Sequence, residues 1–161
     1  QQPGGMVPSH EHKNYDILGY VVSGELEHTD SLGNVNRARA GQIQHMWCGS
    51  SIWHTEKCIG DAPARYLQLW ITPNRNLNTK AKYEVIEKGS EFDIIPVKFN
   101  QDIAIRGGIL STEYTTSKSY LYVVNGNCSI NGITLNDGDG AELENETIVP
   151  INNPHLLLFE I

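Results

Sequence analysis

The chain of 161 residues has no long apolar run and no segment with a clear helical hydrophobic period. No stretch approaches the ~18 consecutive apolar residues that a membrane-spanning helix needs. Charged residues make up only 19% of the chain, below the ~25% typical of soluble domains. A coiled coil, a collagen-like chain and a membrane-spanning helix are therefore excluded. The 39% of apolar residues is enough to build a core, so we expect a globular protein.

Basic residues are scarce. Lys and Arg number 12 against 19 Asp and Glu, which gives a formal net charge of −7. A negative surface disfavours binding to phosphate backbones and to anionic membranes. We therefore expect no direct contact with nucleic acid or membrane, and any role in transcription would require a protein partner.

Cysteine is also rare, and its pattern excludes two classes of small domain. Cys48, Cys58 and Cys128 are odd in number and contain no C-x-x-C pair. Neither a disulfide framework nor a thiolate zinc site is indicated. A reducing compartment fits this usage, and we expect a cytoplasmic protein.

Turn residues and short apolar runs are abundant instead, with 15 Gly and 7 Pro. Runs bounded by Gly, Asp or Pro predict short strands joined by tight turns. The strands predicted in the first half are 15–22, 25–29, 35–40, 42–47, 51–56 and 66–72. Those predicted in the second half are 92–97, 104–112, 119–124, 128–130, 133–135, 141–143, 147–151 and 156–161.

A weak internal repeat divides these strands into two units. The string YVVSG at 20–24 reappears as YVVNG at 122–126, as expected for duplicated units. The polar, asparagine-rich segment 73–82 is the best candidate boundary. We predict an all-β protein with a first unit over 1–73, a linker over 74–91 and a second unit over 92–161.

Two dyads in the first half carry the candidate chemistry. His10 and His12 are two residues apart, and so are His54 and Glu56. Residues two apart in a strand point to the same face, so the four side chains would converge if their strands faced each other. Three neutral imidazoles and a carboxylate suit Fe, Zn, Ni, Cu or Mn. The alternative is four polar residues scattered over exposed faces.

The other histidines have no such pairing. We interpret His28, in a polar hairpin arm, His45, in an alternating strand, and His155, after a turn, as structural or surface residues. His45 is the one of the three that lies nearest to the second dyad in sequence.

Several strings together resemble the pirin family of the cupin superfamily. They are PSHEH at 8–12, YVVSGELEHTDSLGN at 20–34, GSSIWHTE at 49–56 and LQLW at 67–70. The second half, with VVNG at 123–126 and ITLNDGDGA at 133–141, resembles the C-terminal cupin of bacterial quercetinase-type pirins. The resemblance implies a bicupin, which consists of two tandem cupin-type β-barrels or double-stranded β-helices.

The resemblance also implies one metal ion, in the first barrel. Its ligands would be His10, His12, His54 and Glu56, and Fe(II) would be the expected metal, with Zn, Ni, Cu, Co or Mn as alternatives. The repeat offsets place no ligand-type residue at the equivalent positions of the second barrel, which we expect to lack a metal. Those positions are Thr112, Tyr114, Ile151 and Asn153.

Three departures from the family pattern bear on these expectations. Only nine residues precede His10, whereas family members carry a longer segment there, so we expect a first barrel that is incomplete at its N-terminus. An upstream segment or a second copy in a homodimer would then cover the open edge. His45 stands where the family usually has an aromatic residue, and Cys48 where it has a small hydroxyl or similar residue. Both positions lie on the approach to the metal dyad and bear on the substrate preference.

By resemblance, the function is that of a quercetin 2,3-dioxygenase, an oxygenase acting on a flavonol or related enol. Glu56 would be both ligand and catalytic proton acceptor. Asp16 and Gln68 are candidates to hydrogen-bond an imidazole N–H from outside the ligand set. The alternative function is a non-enzymatic, iron-dependent transcriptional co-regulator that binds a protein partner.

Overall fold

The computed structural model describes residues 1–72, 79–97 and 103–161. These form two compact units, 1–88 and 89–161. Every regular element in the described ranges is a β-strand. Within those ranges, no helix has the length and apolar character needed to cross a bilayer.

The first unit consists of two four-stranded sheets, in the orders β1-β6-β3-β4 and β7-β2-β5-β8, with antiparallel neighbours throughout. Gly24, with φ of 74°, makes the turn between the second and third strands. A Cβ there would lie 2.6 Å from the Cα of Ala64, so this turn requires glycine. The strands are β1 (Met6–His12), β2 (Asp16–Ser23), β3 (Glu25–Asp30), β4 (Val35–Arg39), β5 (Gln42–Trp47), β6 (Ile52–Ile59), β7 (Arg65–Ile71) and β8 (Lys82–Glu87).

The register of the first sheet brings the two dyads side by side. β1 pairs with β6 so that His10 lies opposite His54. On the other side of β6, β3 places Asp30 opposite His54 and His28 opposite Glu56. With His12, two residues after His10 on β1, the sheet therefore carries six ionisable side chains near one another, with β6 at the centre.

The core of the first unit brackets this polar group. The inward face of β6 carries Ile52, His54, Glu56 and Cys58, all buried. Ile52 belongs to one apolar cluster and Cys58 to another. The first cluster is Ile17, Met46, Cys48 and Ile52, and the second is Val21, Leu26, Ala38, Cys58 and Ala64.

The second unit is one five-stranded sheet in the order β12-β11-β13-β10-β9. A single strand, β11, pairs with two separate stretches of β13, since Tyr120 lies opposite both Glu142 and Phe159. Its core includes Leu121, Val123 and Leu156. The strands are β9 (Asp93–Ile94), β10 (Ala104–Ile109), β11 (Tyr114–Ile130), β12 (Ile133–Leu135) and β13 (Gly140–Glu160).

The all-β prediction with two cupin-type units is confirmed, but several strands are longer than predicted. The predicted strands 119–124 and 128–130 join in β11, and the three predicted over 141–161 join in β13. Gly126 in β11 and Asn145, Asn152 and Asn153 in β13 have positive φ. These residues bend the chain without ending its pairing, so the turn signal does not mark a strand end.

The linker prediction differs from the structure. β8 lies inside the predicted linker 74–91, yet it pairs along its length with β5 and belongs to the first unit. Its sequence, KYEVIE, has only half-buried apolar residues between charges, which is the pattern of an edge strand. Residues 73–78 of the predicted boundary lie outside the described residues. β1 is an edge strand of its sheet, and an incomplete first barrel or a homodimer stays a prediction.

Candidate metal centre

Three imidazoles converge on the inner side of the first sheet. One ring nitrogen from each of His10, His12 and His54 lies within 4.8 Å of the others. The ring centroids are 4.6 Å apart for His10 and His12, 4.4 Å for His10 and His54, and 5.0 Å for His12 and His54. Three of the four predicted ligands are thus brought together. Within the described ranges, these three side chains form a group that could hold a metal ion.

Two of these rings bury a nitrogen that makes no hydrogen bond. His12 Nε2 and His54 Nε2 are both buried without a partner. A buried unpaired polar atom destabilises a fold by about 1–3 kcal/mol, and a coordinated cation would satisfy both nitrogens at once. The donor set therefore fits a divalent transition metal.

The rings are in the protonation state that metal binding needs. Burial first, and then the neighbouring imidazoles of His28, His10 and His12, lower the pKa of His54 to about 3. Burial, with His10 nearby, also lowers the pKa of His12. Both rings are therefore neutral near pH 7, and a neutral imidazole can donate a lone pair to a metal.

The hydrogen bond of His10 sets which of its nitrogens faces the cluster. His10 Nδ1 lies 2.8 Å from the carbonyl oxygen of Pro8. Because a carbonyl only accepts, Nδ1 carries the proton and Nε2 carries the lone pair. This is the usual device that orients a metal-binding imidazole.

Glu56, the fourth predicted ligand, lies beside the triad but outside the 4.8 Å group. Its Oε2 accepts hydrogen bonds from the Tyr66 hydroxyl at 3.2 Å and from Gln68 Nε2 at 3.0 Å, both on β7 of the facing sheet. Burial raises the pKa of Glu56, and these bonds and the nearby His10 offset part of the rise. The structure thus holds a buried carboxylate next to the three imidazoles.

The same face of β7 continues to an exposed aromatic surface. Trp70 Nε1 donates to Gln68 Oε1 at 3.2 Å. The Trp70 ring lies edge-on to His12, with centroids 4.7 Å apart, and 5.3 Å from the ring of Tyr15. Trp70 is 52% exposed and Tyr15 is 37% exposed. An open aromatic surface therefore borders the triad.

His28, which the sequence predicted to be a structural or surface residue, is buried and contacts the triad through His54. It is only 1% exposed. Its Nδ1 lies 3.3 Å from Nδ1 of His54, and its Nε2 lies 2.9 Å from Oδ2 of Asp30. The signal was present in the sequence, because His28 and Asp30 are two apart in β3, as the residues of the recognised dyads are.

The other residues singled out from the sequence are Gln68 on β7, Asp16 on β2 and His45 on β5. Gln68 donates to Glu56, whereas we expected it to bond an imidazole. Asp16 is fully buried in β2, opposite Trp47 and Ile71. His45 is buried, with its ring 3.6 Å from that of Trp47 and its Nδ1 3.6 Å from Glu84 Oε1.

The positions equivalent by repeat belong to the second unit. There the hydroxyl of Tyr114 donates to Glu160 at 2.6 Å. That the second unit carries no metal stays a prediction.

An all-β chain of two cupin-type units with a triad of imidazoles, two of them buried, belongs to the metal-binding cupin class. The Pirin family model matches residues 2–71, and the model described as the quercetinase C-terminal cupin domain matches residues 95–161. The chain is a member of the pirin family, and the resemblance stated from its sequence strings is confirmed.

The proteins similar to this chain include ones named quercetin 2,3-dioxygenase and ones named pirin. A Zymomonas mobilis protein provisionally named as a quercetin 2,3-dioxygenase is 32% identical over 86% of this chain and 68% of its own length. The quercetin 2,3-dioxygenase of Escherichia coli K12 is 29% identical over 95% of this chain and 75% of its own. The crystal structure of the E. coli bacterial pirin YhhW in complex with nickel(II) superposes with a TM-score of 0.88 at 27% identity, covering 99% of this chain and 78% of that one.

Proposed function

We propose that the chain is a metal-dependent dioxygenase of the quercetin 2,3-dioxygenase type, which acts on a flavonol or a related enol. The metal ligands would be His10, His12, His54 and Glu56. The observation that carries the proposal is the triad itself, in which His12 Nε2 and His54 Nε2 are buried without partners. The names of the E. coli and Z. mobilis relatives supply the substrate class.

A bound divalent metal would supply Lewis acidity, which makes a substrate hydroxyl more acidic and holds the resulting anion in place. Three neutral imidazoles and one carboxylate leave a net charge near +1 around a divalent ion, which favours an anionic ligand. Fe(II) is our first expectation for this family, and the nickel(II) complex of YhhW makes nickel a second. Zn, Cu, Co and Mn suit the same donors.

Glu56 would accept the proton of the substrate hydroxyl. Its burial raises its pKa, which brings the carboxylate nearer to the basicity useful at neutral pH. Tyr66 and Gln68 both bond to Oε2, so they hold the carboxylate in place while its other oxygen stays outside these two bonds.

The aromatic surface of Trp70 and Tyr15 would receive the flat part of the substrate. Both rings are partly exposed next to His12. Aromatic side chains bind planar apolar ligands by stacking and by edge contacts. A flavonol has a planar aromatic body and an enol hydroxyl, so its two parts match the aromatic surface and the metal centre.

The test compares oxygen consumption by Glu56→Gln and wild-type protein, each purified without chelator and loaded with Fe(II) or Ni²⁺. We expect Glu56→Gln to retain most of its metal, because three imidazoles remain, and to lose most flavonol-dependent oxygen uptake. Glu27→Gln is the matched control. It makes the same change on β3, where Glu27 pairs with Arg37 at the surface, and it should leave both properties unchanged.

Wild-type protein that binds metal but consumes no oxygen with any flavonol would contradict the enzymatic function. It would favour the alternative, a metal-dependent co-regulator with a protein partner. The formal charge of −7 is compatible with docking on a basic protein. Wild-type protein that binds no metal would contradict both functions.

A further inference from the structure

A chain of three buried side chains leads from the β3–β4 turn to the metal centre. Asp30 Oδ2 lies 2.9 Å from His28 Nε2, and His28 Nδ1 lies 3.3 Å from His54 Nδ1. His28 is 1% exposed, His54 2% and Asp30 8%. At the far end, His54 belongs to the triad, and its Nε2 is buried without a partner.

The turn fixes the start of this chain as a pure acceptor. Asp30 Oδ1 accepts from the backbone N–H groups of Leu32 at 2.9 Å and of Asn34 at 3.1 Å. Asp30 Oδ2 accepts from the Asn34 side-chain amide at 2.9 Å, in addition to His28. Since a carboxylate held by these donors accepts only, the proton between Asp30 and His28 belongs to His28 Nε2.

The position of that proton determines the others. A neutral imidazole carries one N–H, so His28 Nδ1 holds a lone pair and accepts from His54 Nδ1–H. The lone pair of His54 then lies on Nε2, the nitrogen that is otherwise unpartnered. Rotation of the His28 ring is hindered by Tyr83, whose ring stacks on it at 3.8 Å and 6° between planes.

We propose that Asp30 and His28 are positioning residues that set the tautomer of His54, so that its Nε2 lone pair is available to the metal before the metal arrives. The inference deepens the metal-binding part of the proposed function and is independent of the substrate. Outer groups of this kind typically change metal affinity by about 10–100-fold when they are removed.

Asp30→Asn should exchange the donors and acceptors along the hydrogen bonds from residue 30 to His54, with almost no change in side-chain volume. The amide oxygen should occupy the Oδ1 position, because two backbone N–H groups point there. The NH₂ group then faces His28 Nε2 and the Asn34 side-chain amide, which must turn its oxygen towards that group. His28 Nε2 then becomes an acceptor, its proton moves to Nδ1, and His54 is protonated on Nε2. The same effect of a wrong tautomer is known from the aspartate of the serine protease triad. We expect Ni²⁺ affinity to fall by about 10–100-fold.

Asn34→Ala is the matched control. It removes one hydrogen bond from the same carboxylate and loosens the same turn, but it leaves Asp30 an acceptor and the proton order unchanged. Its Ni²⁺ affinity should stay within about threefold of wild type, since the remaining donors still hold Asp30.

The experiment is ¹⁵N NMR of histidine-labelled, metal-free protein, together with calorimetric titration of the same samples with Ni²⁺. We expect His54 to be protonated on Nδ1 in wild type and in Asn34→Ala, and on Nε2 in Asp30→Asn. His54 protonated on Nε2 in metal-free wild type would overturn the inference, even if Asp30→Asn failed to fold. Equal losses of affinity in the two variants would also overturn it, because the turn alone would then explain the effect.

These readouts use no flavonol and no oxygen. A protein that binds Ni²⁺ with the expected tautomers but lacks dioxygenase activity would contradict the proposed function and support the inference. A protein that has dioxygenase activity but carries the His54 proton on Nε2 would support the proposed function and contradict the inference.

Discussion

Replacing His12 with leucine should stabilise the metal-free protein, although it removes a predicted metal ligand. His12 is buried near the end of β1, and its Nε2 has no hydrogen-bond partner. An unpaired buried donor or acceptor destabilises by about 1–3 kcal/mol, and an apolar group of similar size avoids that penalty. The first unit spans 88 residues, for which 1 kcal/mol shifts Tm by about 4–8 °C. We expect Tm to rise by at least ~4 °C in chelator.

Added metal should reverse the order of stability of wild type and His12→Leu. With Ni²⁺ at a hundred times its Kd, wild type gains about 2.7 kcal/mol, whereas His12→Leu has lost a ligand and gains little. The assay is differential scanning calorimetry of both proteins in chelator and in Ni²⁺. The control is His10→Leu in the same strand, because His10 Nδ1 already bonds to Pro8 and its ring is less buried, so its Tm in chelator should not rise. A His12→Leu protein less stable than wild type in chelator would refute the reasoning.

Two further predictions concern acid and substrate. The folded-state pKa of His54, about 3, is below its ordinary value of about 6.5. The metal-free protein should therefore lose stability progressively as the pH falls from about 6.5 towards 3. The measurement is thermal unfolding in chelator, and a Tm that stays constant over that pH window would contradict the assignment. Trp70→Ala should raise KM for a flavonol by about 2- to 10-fold without changing metal content, whereas Trp53→Ala, 49% exposed on the outward side of β6, should leave KM unchanged. Equal effects of the two substitutions would remove Trp70 from the substrate site.

The first unit was predictable because its turns are strong signals and its strands are short. The strand 42–47 was predicted with the bounds that β5 has, since Gly41 before it and the Cys48–Gly49 turn after it punctuate the run. In β11 and β13, residues such as Gly126 and Asn145 carry the same signal but only bend a continuing strand. A local pattern does not reveal whether the next residues resume pairing with the same neighbour.

The candidate site was partly predictable for a similar reason. Two-residue spacing placed His10 with His12, and His54 with Glu56, on one face of a strand each, and the structure brings three of these four side chains together. The contribution of His28 depends on β3 lying beside β6, and that of Tyr66 depends on the facing sheet. Pairings between distant strands are properties of the fold, so the sequence alone left these residues among the ordinary polar positions.

Because inward and outward side chains alternate along β6, both the core and the metal centre of the first unit depend on the length of this strand. Ile52 and Cys58 anchor two apolar clusters, and His54 and Glu56 lie between them on the same face. A single inserted or deleted residue within β6 would turn that whole face outward beyond the change. Core and ligands would be lost together, so β6 should tolerate neither an insertion nor a deletion.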